Sequence, residues 1–266
     1  MVVTVVAVGV ALVIGLLANH FHRKRMRGED TEAITIKDLT SPLETLAVLV
    51  LAFVLVTAAE SYNAAEDAAR VEAHALDHFF EVADYAPAAQ RERIKADAVC
   101  YARAVHALEW PAMAEGRRAS EVSFWANDFN VPLREMDHTD TSFEILVDAD
   151  KSRDEGRGQR VAESRPAIPD VVYWFMLLTL AITIMAFAFA LPRRRKGAEV
   201  AGLAVITMLL TLSLLLIRDV DRPIGGIISV EPYAMAHQET DLTVEFTRAY
   251  GQGSLPCDEQ GRKLLE

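Results

Sequence analysis

The chain has 266 residues, of which 52% are hydrophobic and 24% charged, and its formal net charge is −11. That acidic balance excludes a nucleic-acid partner, which needs a basic face, and two cysteines are too few for a multi-bridge disulfide framework. Apolar and polar residues are segregated, with apolar runs at 2–18, 43–59, 171–191 and 200–217. Runs of this length read as membrane helices. The pattern predicts one membrane unit with a polar insertion and a polar tail, rather than two independent domains.

In chain order, residues 1–19 are expected to form span one. Its basic cluster, Arg23-Lys24-Arg25 with Arg27, follows the apolar run, the reverse of a signal peptide. Ala7, Ala11 and Gly15 recur every four residues, a small-residue face that admits a second helix closely; the alternative is that Ala and Gly are simply frequent here. Residues 20–41 form a basic connector carrying Arg23, Lys24, Arg25, Arg27 and Lys37. Ser41-Pro42-Leu43-Glu44 reads as a helix start, with Ser as N-cap, Pro at the first position and an acid in the first turn. After Pro42, span two, 42–59, meets no Gly or Pro before Pro87 and is expected to leave the membrane as one continuous helix.

The insertion, 60–169, begins with that continuation. Tyr62, Ala65, Ala69, Leu76, Phe80 and Ala83 keep helical spacing, with Asn63, Asp67, Arg70, His74, Asp77 and Glu81 opposite. A second helix over 88–115 presents Ile94, Ala98, Tyr101, Val105 and Leu108, and two such stripes predict an antiparallel hairpin. Shorter helices are expected at 120–130 and 139–154, and 153–160 reads as a charged, mobile approach to the next span. Span three, 170–191, has Tyr173 and Trp174 as interfacial anchors. A basic turn at 192–198 leads into span four, 199–217, and 218–266 is read as a tail with an extended part at 227–230 and a polar end. The expected fold class is therefore all-α: a four-span helical membrane protein with a helical-hairpin insertion between spans two and three.

Charge sets the expected topology. The first connector holds five Lys/Arg and the second turn four, and basic short loops mark the cytoplasmic side. The N-terminus, the insertion and the tail are then extracytoplasmic, in a multi-pass protein of the cell membrane. Cys100 and Cys257 fit no metal spacing and read as isolated thiols, with a single bridge as the alternative.

Glu109-Trp110-Pro111-Ala112-Met113 and Asp221-Arg222-Pro223-Ile224-Gly225, with Arg70-Val71-Glu72-Ala73, Arg160-Val161-Ala162 and the Trp174-bearing span, carry a family likeness. In these motifs and in the order of its elements the chain resembles the bestrophin-like bacterial membrane proteins with a domain of unknown function, over roughly residues 43–233. The resemblance extends distantly to bestrophins proper, and implies a pentameric anion channel whose pore is constricted by apolar side chains of span two. Two features differ: no acidic cluster like the bestrophin calcium clasp is present, and bestrophins keep their helical insertion in the cytosol.

The candidate sites follow. Leu46, Val50, Phe53 and Thr57 form the pore-lining stripe of span two, against ordinary helix packing or lipid contact as the plainer reading. Arg218, Asp219, Asp221 and Arg222 are the charged-mouth candidates, against a helix stop held by ion pairs. Arg218 and Arg222 share a face if the helix continues. His74, His78 and Glu81 offer a histidine pair at i, i+4 with a carboxylate, but no further strong ligand, so no metal is assigned and a solvated face is expected. Asp148-Ala149-Asp150 lacks the glycine and closing glutamate of a calcium loop. Nothing ionisable falls at mid-span, and no nucleotide-binding, nucleophile-elbow or zinc-protease motif occurs, so neither enzyme activity nor a cofactor is assigned. The expected partners are the lipid bilayer, further copies of this chain and anions. The reading is an oligomeric passive anion pore, with a membrane-anchored sensing or interaction module as the alternative.

Overall fold

A computed structural model describes residues 2–25, 36–191 and 197–264. Residues 26–35 of the first basic connector and the charged part of the second turn, 192–196, lie outside the described residues. The fold is all-α, and the chain divides into two compact units. Unit 1 comprises residues 1–60 and 167–221, and unit 2 comprises 61–166 and 222–266.

Unit 1 contains α1 (Val2–Arg25), the first half of α2 (Ile36–Val82), α8 (Asp170–Ala190) and α9 (Gly197–Val220). All four are long and apolar enough to cross a membrane. The stripe that α1 buries is Thr4, Val8, Ala11, Gly15 and Asn19. It lies along α8. The hydroxyls of Thr4 and Tyr173 are 2.5 Å apart near the start of both helices, and Asn19 Nδ2 donates to the carbonyls of Ala188 and Leu191 at the other end. The two helices are therefore parallel. Gly15 lies so close that an added Cβ would stand 2.6 Å from the Met185 carbonyl oxygen. The small-residue face thus mediates a close helix contact, as its spacing suggested. α9 runs back antiparallel, since Arg218 near its end lies over the ring of Tyr173. Leu51, Val54 and Ala58 of α2 complete the apolar core with Met176, Leu180, Ile184, Leu214 and Ile217. The expected N-cap at Ser41 is not observed: α2 starts at Ile36 and takes Pro42 inside. Thr45 Oγ1 donates to the Ser41 carbonyl, the usual outlet for a threonine within a helix.

Unit 2 takes the second half of α2, then α3 (Ala88–Ala104), α4 (Trp110–Ala114), α5 (Ser120–Asp128), α6 (Asn130–Arg134), α7 (Thr141–Glu163) and, from the tail, α10 (Tyr233–Tyr250). The helix over 88–115 forms, but its turn Val105–Glu109 is widened, with the Trp110 N–H bonded to the Val105 carbonyl five residues back. Pro111 has no N–H for the next bond, so the preceding turn loosens. Phe79, Phe80, Ile94, Trp125, Phe129, Leu146 and Phe246 are among the fully buried side chains of the core. Each contributes about 1.5–3 kcal/mol.

Two expectations are overturned in this unit, and one element is added. Residues 153–160 are not a mobile approach but two turns of α7, with Arg153 and Arg160 buried. The polar tail carries a helix the sequence reading did not name, α10, which buries Met235, Leu242 and Phe246. The cysteines are not isolated: Cys100 and Cys257 form a disulfide across 157 positions. Around it the chain end is clamped onto α3 and α5. Trp125 Nε1 donates to the Gly261 carbonyl at 2.6 Å, and Arg103 Nη1 to that of Asp258 at 3.2 Å.

Candidate functional site

The span-two stripe is divided by its surroundings. Leu46 and Phe53 are 46% and 75% exposed on the flank of α2 that the chain's own helices leave uncovered. Val50 is half-buried and lines a small gap against Met176, Thr179 and Leu180 of α8. Thr57, also half-buried, donates its hydroxyl to the Phe53 carbonyl, the usual outlet for a threonine within an apolar helix.

The charged candidates fall on both sides of the boundary between the units, which lies between Asp221 and Arg222. α9 ends at Val220, and the chain turns through the Gly225 and Gly226 N–H groups, both bonded to the Arg222 carbonyl. Arg218 stacks over Tyr173 at 4.3 Å. Asp219 is buried, and Asp221, also buried, accepts the N–H groups of Ala167 and Ile168 at 3.0 and 2.9 Å, fixing the lead-in to α8. These three belong to the end of unit 1. Arg222 belongs to unit 2, is exposed, and lines a cavity there.

His74, His78 and Glu81 stand exposed on α2. Among the described residues no group of three or more His, Cys, Asp or Glu is arranged to hold a metal.

The densest polar chemistry lies elsewhere in unit 2, and the sequence reading did not assign it as a site. Arg160, 1% exposed, sits between two carboxylates of zero exposure, Glu72 of α2 and Glu109 at the widened turn. Its Nε and Nη2 donate to Glu72, Nη2 also to Glu109, and Nη1 to the Met113 sulfur at 3.0 Å. Tyr101 donates to Glu72 at 2.6 Å, and Arg157 bonds Glu109 at 2.7 Å and the Ser123 hydroxyl at 3.1 Å. Beside this, Arg153 bonds Asp150 and lies 5.0 Å from the rings of both Tyr101 and Phe129. The Trp110 ring, under Arg160, donates its N–H to the Val230 carbonyl at 3.1 Å.

The local fold explains this convergence. Glu72 fills the gap in the apolar stripe between Ala69 and Leu76, so it must face the core. The widened turn rotates Glu109 inward ahead of Pro111. Gly156 lets α7 approach α2, since a Cβ there would lie 2.9 Å from the Glu72 Cα. Two carboxylates meet two guanidiniums, so Glu72, Glu109, Arg157 and Arg160 sum to zero charge. Burial pushes the Glu109 carboxyl up, but Arg160 and Arg157 outweigh it and hold it below its ordinary value. Burial opposes the charge on Arg160, and Glu72 with Glu109 more than restores it. Burial, then Glu72, raises the Tyr101 hydroxyl. Through these paired charges the cluster ties α2, the helix over 88–115 and α7 together. A carboxylate in the gap of an apolar stripe was its available sequence signal.

Four membrane-length helices and an ion-paired helical unit define a multi-pass helical membrane protein. A profile of the Bestrophin-like domain matches residues 5–235, and the chain belongs to that family. No curated protein and no solved structure matches it. The matched residues stop just after α10 begins, so most of that helix and Cys257 lie beyond them.

Proposed function

We propose that the protein works as an oligomeric, passive pathway for anions across the cell membrane, with several copies presenting α2 to a common axis. The observation that carries this reading is the flank of α2: Leu46 and Phe53 are large, apolar and uncovered by the chain's own bundle, while Ala47, Leu51, Val54 and Ala58 face inward. A ring of such side chains gates by dewetting and needs no ionisable group in the span, and membership of the Bestrophin-like family agrees with it. Arg218 at the end of α9 adds positive charge near a mouth that anions enter. The test is mass measurement in detergent followed by chloride flux in liposomes. The expected result is an oligomer whose flux rises several-fold in Phe53→Ala; a monodisperse monomer without flux overturns the proposal.

In this reading the N-terminus, unit 2 and the tail are extracytoplasmic. The Cys100–Cys257 disulfide favours this side, because such bonds persist in oxidising compartments. It agrees with the basic short connectors. A thiol introduced by Ser120→Cys should react with an impermeant reagent on intact cells; reaction only after lysis reverses the orientation. The alternative function, a membrane-anchored sensing or interaction module, is favoured by the elaborate polar construction of unit 2. It predicts no flux.

A further inference from the structure

Unit 2 contains a cavity of about 250 Å³ where the ends of α4 and α7 meet the turn that follows Arg222. Four of its eleven lining residues are arginines, Arg117, Arg118, Arg165 and Arg222, and none is acidic. The whole chain has 27 Lys/Arg against 38 Asp/Glu, so this concentration runs against the general balance.

The fold holds the arginine-bearing segments in place. α4 ends on Gly116, whose φ of +75° suits glycine, and the Arg117 N–H returns to the Ala112 carbonyl at 2.8 Å. At the end of α7 the N–H groups of Ser164 and Arg165 bond the Arg160 and Ala162 carbonyls. Gly225 packs on the end of α4, where a Cβ would meet the Ala114 carbonyl oxygen at 3.0 Å.

The charge does not cancel locally. Two helix C-termini bring about half a negative charge each. Arg117 is paired with Glu115. Arg118, Arg165 and Arg222 share the cavity with no acidic lining residue, so its lining carries positive charge over the helix ends.

We propose that this cavity binds the phosphate group of a phosphate ester. A doubly charged phosphate monoester matches this positive lining, and planar guanidinium forks suit its oxygens. Met113 and Val161, both buried, supply apolar lining beside the arginines. It gives the carbon portion of an ester a contact that inorganic phosphate cannot use. The volume lies below the roughly 300–1,000 Å³ typical of drug-sized ligands, so the site takes a headgroup-sized fragment. Two sources supply this chemistry, an anionic lipid headgroup and a small soluble phosphate ester. Arg165 precedes α8 and Arg222 follows α9, so two of the binding residues adjoin membrane spans in sequence. The site does not depend on whether the spans conduct.

The test is calorimetric titration of the full chain in neutral detergent at low salt. The probes are glycerol 3-phosphate and dioctanoyl phosphatidic acid, with phosphate-free dioctanoylglycerol as control. Saturable binding of glycerol 3-phosphate comparable to that of phosphatidic acid identifies a soluble ligand, and binding of phosphatidic acid alone identifies a lipid headgroup. In either case Arg165→Ala with Arg222→Ala should weaken binding about tenfold or more at an unchanged melting temperature. Should that pair fail to fold, Arg165→Lys with Arg222→Lys keeps the charge without the fork and should weaken binding several-fold. Absence of binding by both phosphate probes, equal binding of dioctanoylglycerol, or titrations unchanged by the folded variants overturns the proposal.

Discussion

The two units solve helix packing with different materials. Unit 1 is held by apolar side chains, close approach at Gly15 and a few polar contacts at the helix ends. Unit 2 has an apolar core too, but it also buries two carboxylates and two arginines of matching charge and closes a disulfide. The difference follows from the surroundings each composition suits. Lipid does not reward burial of apolar surface, so membrane helices rely on close backbone approach. A water-exposed helical unit has the hydrophobic effect, and buried charge can then fix which helices meet.

The largest test of this contrast removes one partner from the unit 2 network. Glu72→Ala leaves Arg160 short of a buried counter-charge and the Tyr101 hydroxyl without its acceptor, and should destabilise unit 2 by about 3–5 kcal/mol. Denaturation followed by tryptophan emission should detect the loss, since Trp110 lies under Arg160. Glu72→Gln keeps the shape and should lose less. Equal stability of all three proteins would mean the network contributes nothing.

Next in size is the disulfide. Cys100→Ser with Cys257→Ser should cost unit 2 about 2–5 kcal/mol and free the chain end from α3, raising hydrogen exchange over 255–264. Unit 1 has no cross-link among the described residues, so its own exchange should not respond.

The same contrast explains what the sequence revealed. The spans were legible because lipid demands a nearly charge-free run, and Ala201 to Ile217 has no charge. The small-residue face of α1 was legible because Ala11 and Gly15 repeat at helical spacing. Unit 2 was only partly legible. Gly156 and its charged neighbours looked like a mobile linker, yet the glycine exists for the α2 contact and Arg160 is buried behind it. α10 was missed because its buried Met235, Leu242 and Phe246 are sparse among polar residues, although Pro232 and Gly251 bracket it. The disulfide was read only as the alternative to isolated thiols, since cysteines 157 positions apart give no spacing cue. The pocket arginines lie at 117, 118, 165 and 222, and only folding gathers them.

A pH-dependent test also separates the units. Asp97 in α3 is buried, and its Oδ2 has no hydrogen-bond partner. Its carboxyl is pushed up to about 8, first by burial and then by Asp128, against the opposing pull of Arg93 and Lys263. An unfolded aspartate ionises near 3.8. Between these values the folded chain keeps a proton that the unfolded chain has released. This contribution is therefore full below the lower value, declines as pH rises, and is lost once pH passes about 8. Asp97→Asn should match the parent at about pH 4 and exceed it by about 1–3 kcal/mol near pH 9. Parallel melting curves across that range would show that Asp97 ionises freely in the fold.

The smallest expected effect lies in unit 1 and turns on sign. Replacing a helical glycine by alanine gains up to about 1 kcal/mol in water from reduced backbone freedom in the unfolded chain. At Gly9 nothing lies within 4 Å of the added Cβ, so Gly9→Ala should be neutral or slightly stabilising. At Gly15 the Cβ would stand 2.6 Å from the Met185 carbonyl oxygen and 2.7 Å from the Ala188 Cβ. Both obstacles belong to α8 and neither is the end of a flexible side chain, so the helices must separate. Overpacking of this kind costs about 1–3 kcal/mol, more than the propensity gain, and the net effect should be a loss of about 1 kcal/mol. Thermal unfolding in detergent compares the two variants directly. A loss at Gly15 with none at Gly9 identifies close approach to α8 as the force holding α1; equal effects at both sites would assign α1 to lipid rather than to the bundle.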